Sequence, residues 1–411
     1  MPIHPGSMPA AFTLLAKPTG AVCNLACGYC FYLDKEQLYP DSHFHMSDEV
    51  LKAYIKQLLS SQPVPEVSIA WQGGEPTLMG LDFFKRSVAL VKRYKRPGQH
   101  VSFTLQTNGT RLDDAWCIFF KEHNFLIGLS LDGPSEMHNA FRVDKGGQGS
   151  FDQVKHAWDL LLKHKVDTNI LCALHAANAT HPLEVYRFFR DDLHAEYIQF
   201  IPIVERLTSG LDNLGKKSDG GTQITEIQPG IQVSPRSLKP AEFGRFLIDI
   251  FDEWIGRDVG KVFVQTFDSA LASWCHLPAS VCVFQETCGL SLVLEHNGDL
   301  YSCDHFVEPG HRLGNILETP MSELIASTRQ RRFGLDKRDR LPEFCRKCDV
   351  RFACQGECPR NRFLRTPGDK EEGLNYLCSG YRMFFKHIDG PMRSMAGLLR
   401  HGRSPAQIMR I

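Results

Sequence analysis

An α/β protein built on six successive β/α units, with a cysteine-rich region behind them, is the fold class the sequence predicts. Three observations carry that expectation. Near-continuous apolar runs alternate with helical periodicities from the start of the chain to about residue 204. That rhythm stops at a stretch, 207–239, rich in Gly, Ser, Asp and Lys. Eight of the fourteen cysteines then fall between Cys282 and Cys378.

Strands are expected at 12–16, 67–71, 101–106, 127–131, 168–174 and 197–201, since such runs suit strands covered on both faces of a parallel sheet. Between the first two, Leu51, Tyr54, Ile55, Leu58 and Leu59 recur at helical spacing. Ser47 precedes them as an N-cap, with Asp48 and Glu49 in the first turn. Helices are expected likewise at 81–94, 112–123, 151–164 and 181–190. Six units of this kind in order imply a partial (β/α)6 barrel. The stretch 207–239 reads as a surface loop or linker, and a helix is expected at 241–256. Beyond it the chain reads as loop-rich. The expected division is a barrel over 10–240, a helical connection over 241–275, a cysteine-rich domain over 276–388 and a tail over 389–411.

Composition excludes several classes. With 43% hydrophobic and 23% charged residues the chain is neither disordered nor fibrous. Lys plus Arg equals Asp plus Glu at 47, so no global charge favours nucleic acid or an anionic membrane. The early apolar run 10–16 is broken by Thr13 and lacks a basic flank, so no signal peptide is read. No stretch approaches the roughly 18 apolar residues of a membrane span. A cytoplasmic protein follows as the expectation. In a reducing cytosol, clustered cysteines point to metal or redox chemistry rather than disulfides.

Cys23-Asn24-Leu25-Ala26-Cys27-Gly28-Tyr29-Cys30 sets three thiols in eight residues directly after the first strand. Three thiolates can hold three corners of an iron–sulfur cube and leave its fourth iron open to a small molecule. With His43 or His45 as a fourth ligand the same thiols could instead bind zinc. The CxxxCxxC spacing resembles the radical S-adenosylmethionine (SAM) superfamily. Gln72-Gly73-Gly74-Glu75-Pro76 after the second strand matches that family's GGEP segment. Thr107-Asn108-Gly109 and Ser130 end the third and fourth strands, on the face where barrel enzymes build their sites. The resemblance implies a [4Fe-4S] cluster on Cys23, Cys27 and Cys30, with SAM held by Tyr29, Gly73, Gly74, Glu75, Ser130, Arg142 and, beside adenine, Val204. Gly73 and Gly74 would let backbone approach the ligand, and Glu75 would face the SAM ammonium.

The later cysteines are Cys282, Cys288, Cys303, Cys345, Cys348, Cys354, Cys358 and Cys378. Taken alone, CxxC-x5-C-x3-C from Cys345 could be a zinc knuckle. Together the eight resemble the SPASM extension, and most nearly that of anaerobic sulfatase-maturating enzymes. The resemblance assigns Cys282, Cys288, Cys303 and Cys358 to one auxiliary cluster, and Cys345, Cys348, Cys354 and Cys378 to a second, making three [4Fe-4S] clusters in all. Cys117, Cys172 and Cys275 read as structural thiols. The implied activity is oxidation of a sulfatase Cys or Ser, within C/S-x-P-x-R, to Cα-formylglycine. Asp304 would be the general base, and Tyr32 and Gln72 would face the substrate. A low-potential donor such as flavodoxin or ferredoxin would supply electrons. Another peptide-modifying SPASM enzyme, or a non-catalytic zinc or electron-transfer protein, are the competing readings.

Overall fold

The computed structural model describes residues 11–207, 225–368 and 370–410. Its chain divides into two compact units, each drawing on both halves of the sequence. The first comprises 1–130, 142–168 and 288–336, and the second 131–141, 169–287 and 337–411.

In the first unit β1 (Thr13–Lys17), β2 (Glu66–Trp71), β3 (His100–Thr107) and β4 (Phe125–Ser130) lie parallel in that order. Ser47 caps the helix Asp48–Ser61, its hydroxyl accepting from the Val50 amide at 3.2 Å. Asp113 does the same for Asp114–Glu122 through the Trp116 amide. Trp71 meets Tyr54, Phe83 and Phe84 edge-on, which closes β2 against two helices. The strand Ser291–Glu295 adds to the free side of β1 in parallel, with Lys17 opposite Glu295. Asp299–Tyr301 and Arg312–Asn315 extend that edge as antiparallel strands.

In the second unit β5 (Asp167–Leu174) pairs in parallel with β6 (Tyr197–Pro202), which pairs with Phe263–Val264. The helix Pro240–Arg257 crosses Cys378–His387 at a pair of glycines. A Cβ on Gly244 would stand 2.8 Å from the Gly380 carbonyl, and one on Gly380 2.2 Å from that of Pro240.

Two expectations are corrected here. Part of the presumed loop 207–239 is ordered as antiparallel strands, Thr225–Gln228 and Ile231–Val233, with Arg206–Leu207 on the other side of the latter. Residues 208–224 of that stretch lie outside the described residues. The helix Gln265–Trp274 lies within the expected helical connection, whereas the region past residue 275 is more helical than it reads, with Thr328–Asp339 and Cys378–His387. The tail at 389–411 forms the helix Asp389–Arg400 and a 3-10 turn, Pro405–Arg410. Among the described residues no helix is long and apolar enough to cross a membrane.

Candidate functional site

The three-cysteine loop begins six residues after β1 and is fastened to its neighbours by backbone. Gly74 N donates to the Gly20 carbonyl at 2.8 Å and Glu75 N to that of Val22 at 3.0 Å. A Cβ on Gly74 would fall 2.0 Å from the Val22 oxygen. The close approach this glycine permits is therefore to the cysteine loop. Gly73, at φ +144°, faces Gly20 in the same way.

Glu75 is fully buried. Its carboxylate accepts from Thr77 N and Oγ1, Thr107 Oγ1 and Asn108 N at 2.7–3.0 Å. Those four bonds tie the ends of β2 and β3 together, three to Oε1 and one to Oε2. Burial raises its pKa and the hydrogen bonds oppose that shift. Asn108 Nδ2 donates to Asn24 Oδ1 at 2.9 Å and approaches Cys23 Sγ at 3.6 Å. The guanidinium of Arg142 lies 5.5 Å from the Tyr29 ring centre, within cation–π range. Ser130 is buried at the end of β4. Gly74, Glu75, Asn108 and Arg142 thus meet the cysteine loop of the first unit. Val204 lies just past β6 in the second unit and is half-buried.

A second group gathers at the end of β1. Lys17 is 1% exposed, and its ammonium sits 2.6 Å from Asp304 Oδ1. It also donates to Gln72 Oε1 at 3.2 Å and lies 4.3 Å from the Tyr32 ring centre. Gln72 in turn donates to Gln106 at 2.8 Å. The Tyr32 hydroxyl donates to Glu295, whose other oxygen meets His296 Nδ1 at 3.3 Å. Burial first, then the charges of Glu295 and Asp304, push the Tyr32 phenol well above its ordinary range. It therefore stays a donor at neutral pH. Asp304, Gln72 and Tyr32, separated by up to 272 residues, thus converge on one lysine that the sequence reading missed. Its signal was a charge at the end of an otherwise apolar strand.

In the second unit Cys345, Cys348, Cys354 and Cys378 line one small cavity, with Arg351, Arg382 and Asn375 at its wall. Burial pushes the Cys378 thiol up to about 12, and Cys354 higher. Cys358 rises to about 12, and in the first unit Cys23 rises to about 11, burial again the main cause. Desolvated thiols of this kind ionise only against a bound cation. Soft, buried sulfur donors in this number suit iron–sulfur clusters. No group of three or more His, Cys, Asp or Glu among the described residues is drawn tight enough to chelate a single metal ion. Buried cations support the loops: Lys337 Nζ donates to the carbonyls of Cys282, Val283 and Gln285. Arg362 holds those of Gln355, Gly356, Glu357 and Lys337. In the first unit a Cβ on Gly334 would stand 2.2 Å from the Cys288 carbonyl, so this glycine admits the Cys288 turn. None of the fourteen cysteines is joined in a disulfide, and Cys117 and Cys172 are buried.

Family models agree with this arrangement. That of the radical SAM superfamily matches residues 18–189, and that of the SPASM iron–sulfur cluster-binding domain matches 282–349. Fold and thiol sites thus define a radical SAM enzyme with SAM as cofactor, and eleven clustered cysteines suit three [4Fe-4S] clusters. A serine-type anaerobic sulfatase-maturating enzyme of Bacteroides thetaiotaomicron is 45% identical over 97% of this chain and 94% of its own. A cysteine-type enzyme of Clostridium perfringens is 35% identical over 91% and 95%. A solved structure described as native anSMEcpe with bound AdoMet and Cp18Cys peptide superposes with a TM-score of 0.80, at 33% identity. It covers 94% of this chain and 99% of that one. The chain belongs to the anaerobic sulfatase-maturating enzymes.

Proposed function

We propose that the chain oxidises the active-site residue of a partner sulfatase to Cα-formylglycine, with serine as the preferred target and Asp304 as the base. The observation that carries the role of Asp304 is its 2.6 Å contact with buried Lys17, which Gln72 and Tyr32 flank. The preference for serine draws support from 45% identity to a serine-type relative against 35% to a cysteine-type one.

The eleven cysteines hold three clusters in the groups given by the sequence resemblance. SAM would lie against Gly73, Gly74, Glu75, Tyr29, Ser130, Arg142 and Val204. Glu75 acts by fastening the glycine loop to β3. When bound, SAM and the Cys23, Cys27 and Cys30 cluster supply a 5′-deoxyadenosyl radical that takes a hydrogen atom from the substrate Cβ, and the auxiliary clusters supply the acceptor for the electron released next. Asp304 receives the hydroxyl or thiol proton as the carbon–heteroatom double bond forms. A base of this kind must sit within hydrogen-bond reach of the proton it takes, so its placement matters most. Lys17 supplies that placement, and Gln72 and Tyr32 donate and accept hydrogen bonds around the reacting group.

A low-potential donor such as flavodoxin or ferredoxin completes the reading. Cysteines clustered for metal ligation suit a reducing, cytoplasmic setting. The test is anaerobic incubation with SAM, dithionite and peptides carrying Ser or Cys in the C/S-x-P-x-R context. Formylglycine forming faster from the Ser peptide, with 5′-deoxyadenosine, is expected. SAM cleavage without a mass change in either peptide would remove the sulfatase reading and favour another peptide substrate.

A further inference from the structure

Both Tyr32 and Asp304 have an aromatic neighbour in the chain, and the two neighbours touch. Phe31 and His305 meet edge-on with ring centres 5.8 Å apart. Phe31 also meets the Tyr32 ring edge-on, again at 5.8 Å. Tyr32 is buried, whereas Phe31 is 44% exposed and His305 is exposed beside it. All four residues belong to the first unit.

A single exposed phenylalanine needs no explanation. Its place gives this one a use. The Tyr32 ring lies 4.3 Å from the Lys17 ammonium that holds Asp304, and Phe31 stands one further ring away. Phe306, the next aromatic along, packs instead on His311 at 4.8 Å and Phe333 at 5.3 Å. An accessible aromatic surface thus borders the base itself.

What such a surface can take follows from peptide geometry. In an extended peptide alternate side chains share a face, about 6.5 Å apart. That span is close to the 5.8 Å between the Tyr32 and Phe31 rings. A residue whose side chain meets Asp304 would set the side chain two positions away against Phe31 and His305. The ring of a proline suits that place. Proline holds the residue before it extended, which keeps both side chains on one face. Aromatic walls are what dock proline rings, and a ring already rigid loses little freedom on docking.

We propose that Phe31, with His305 beside it, forms the subsite for a proline two residues beyond the oxidised residue, and so selects the peptide. The inference rests on the sulfatase reading, whose C/S-x-P-x-R context carries a proline at that position. Phe31 binds and takes no part in the chemistry, so its loss acts on KM and leaves kcat.

The experiment uses the reconstituted full chain with SAM and two peptides, one carrying S-x-P-x-R and one with alanine in place of the proline. Formylglycine formation gives kcat and KM, and anisotropy of the labelled peptides gives Kd without turnover. Wild type should favour the proline peptide by about tenfold in kcat/KM, almost all of it in KM and Kd. Phe31→Ala should reduce that preference to about twofold or less, with kcat for the proline peptide within about twofold of wild type. Phe31→Tyr should keep the preference, and His305→Ala should lose part of it. Phe31→Leu, which keeps bulk without the aromatic face, should fall between and guards against a variant that fails to load iron. A preference that persists in Phe31→Ala and Phe31→Leu would overturn the proposal. So would equal losses on both peptides, or indifference of wild type to the proline, and the sulfatase reading would survive either. Absence of formylglycine from both peptides would instead sink that reading, while the proline dependence of Kd would still decide the subsite.

Discussion

The cysteine loop of the first unit and the cysteine cavity of the second solve the same problem by different means. In the first, Cys23, Cys27 and Cys30 lie on a turn pinned by backbone bonds to a glycine pair, with Glu75 and Asn108 bracing it. In the second, Cys345, Cys348, Cys354 and Cys378 sit on short helical turns and a helix start. Half-buried Arg362 holds the carbonyls of Gln355 and Gly356 beside Cys354, and buried Lys337 holds those of the Cys282 turn. A three-thiol site leaves a coordination position for chemistry, whereas a four-thiol site is closed. The difference teaches where each is fragile: backbone fit in the first, cation–carbonyl clamps in the second.

The largest effect should come from Gly74→Val. Its side chain would start 2.0 Å from the Val22 oxygen, and backbone cannot yield as a flexible side chain can. SAM turnover should vanish and iron should fall by about a third, the share of one cluster in three. Full iron content in this variant would break the comparison at its first term.

Asp304→Asn keeps the shape but cannot take a proton. Formylglycine formation should fall by roughly 10²-fold or more, with three clusters and SAM cleavage retained. Lost iron would show instead that Asp304 serves mainly to support Cys303. Lys17→Met acts through Asp304, so a smaller fall, on the order of tenfold in kcat with little change in KM, is expected. A rise in KM alone would make Lys17 a substrate-binding group. The smallest catalytic effect belongs to Lys337→Met. Three carbonyls would lose their donor at about 1–3 kcal/mol for each one left buried and unpaired. Thermal melting should drop and auxiliary iron should decrease, while cleavage of SAM continues. Unchanged iron and melting temperature would show that the clamp is dispensable.

Local features were readable because their causes are local. The Ser47 cap and the helix Leu81–Tyr94 stand where periodicity and capping chemistry place them. The six expected strands match β1 to β6 within one or two residues at most ends. Helix Cys378–His387 was harder to read, although Tyr381, Phe384 and Phe385 are buried at helical spacing. Closely set cysteines distracted from that period. Glu75 shows the opposite limit: its motif marked an important carboxylate, but only the fold shows that four donors from β3 and its own loop occupy it.

Residue order alone determined the β/α rhythm, the thiol spacings and the glycine pair, because each depends on neighbours a few positions apart. Tertiary structure decided the rest. The strand Ser291–Glu295 pairs with β1 across 278 residues, in a register set by backbone hydrogen bonds and shared burial. That pairing brings Glu295 opposite Lys17 and carries the following turn to it, so that Asp304 meets a buried ammonium. Nothing in the spacing of Lys17 and Asp304 could announce the contact. A buried charge needs an opposite one, but only the folded chain says which.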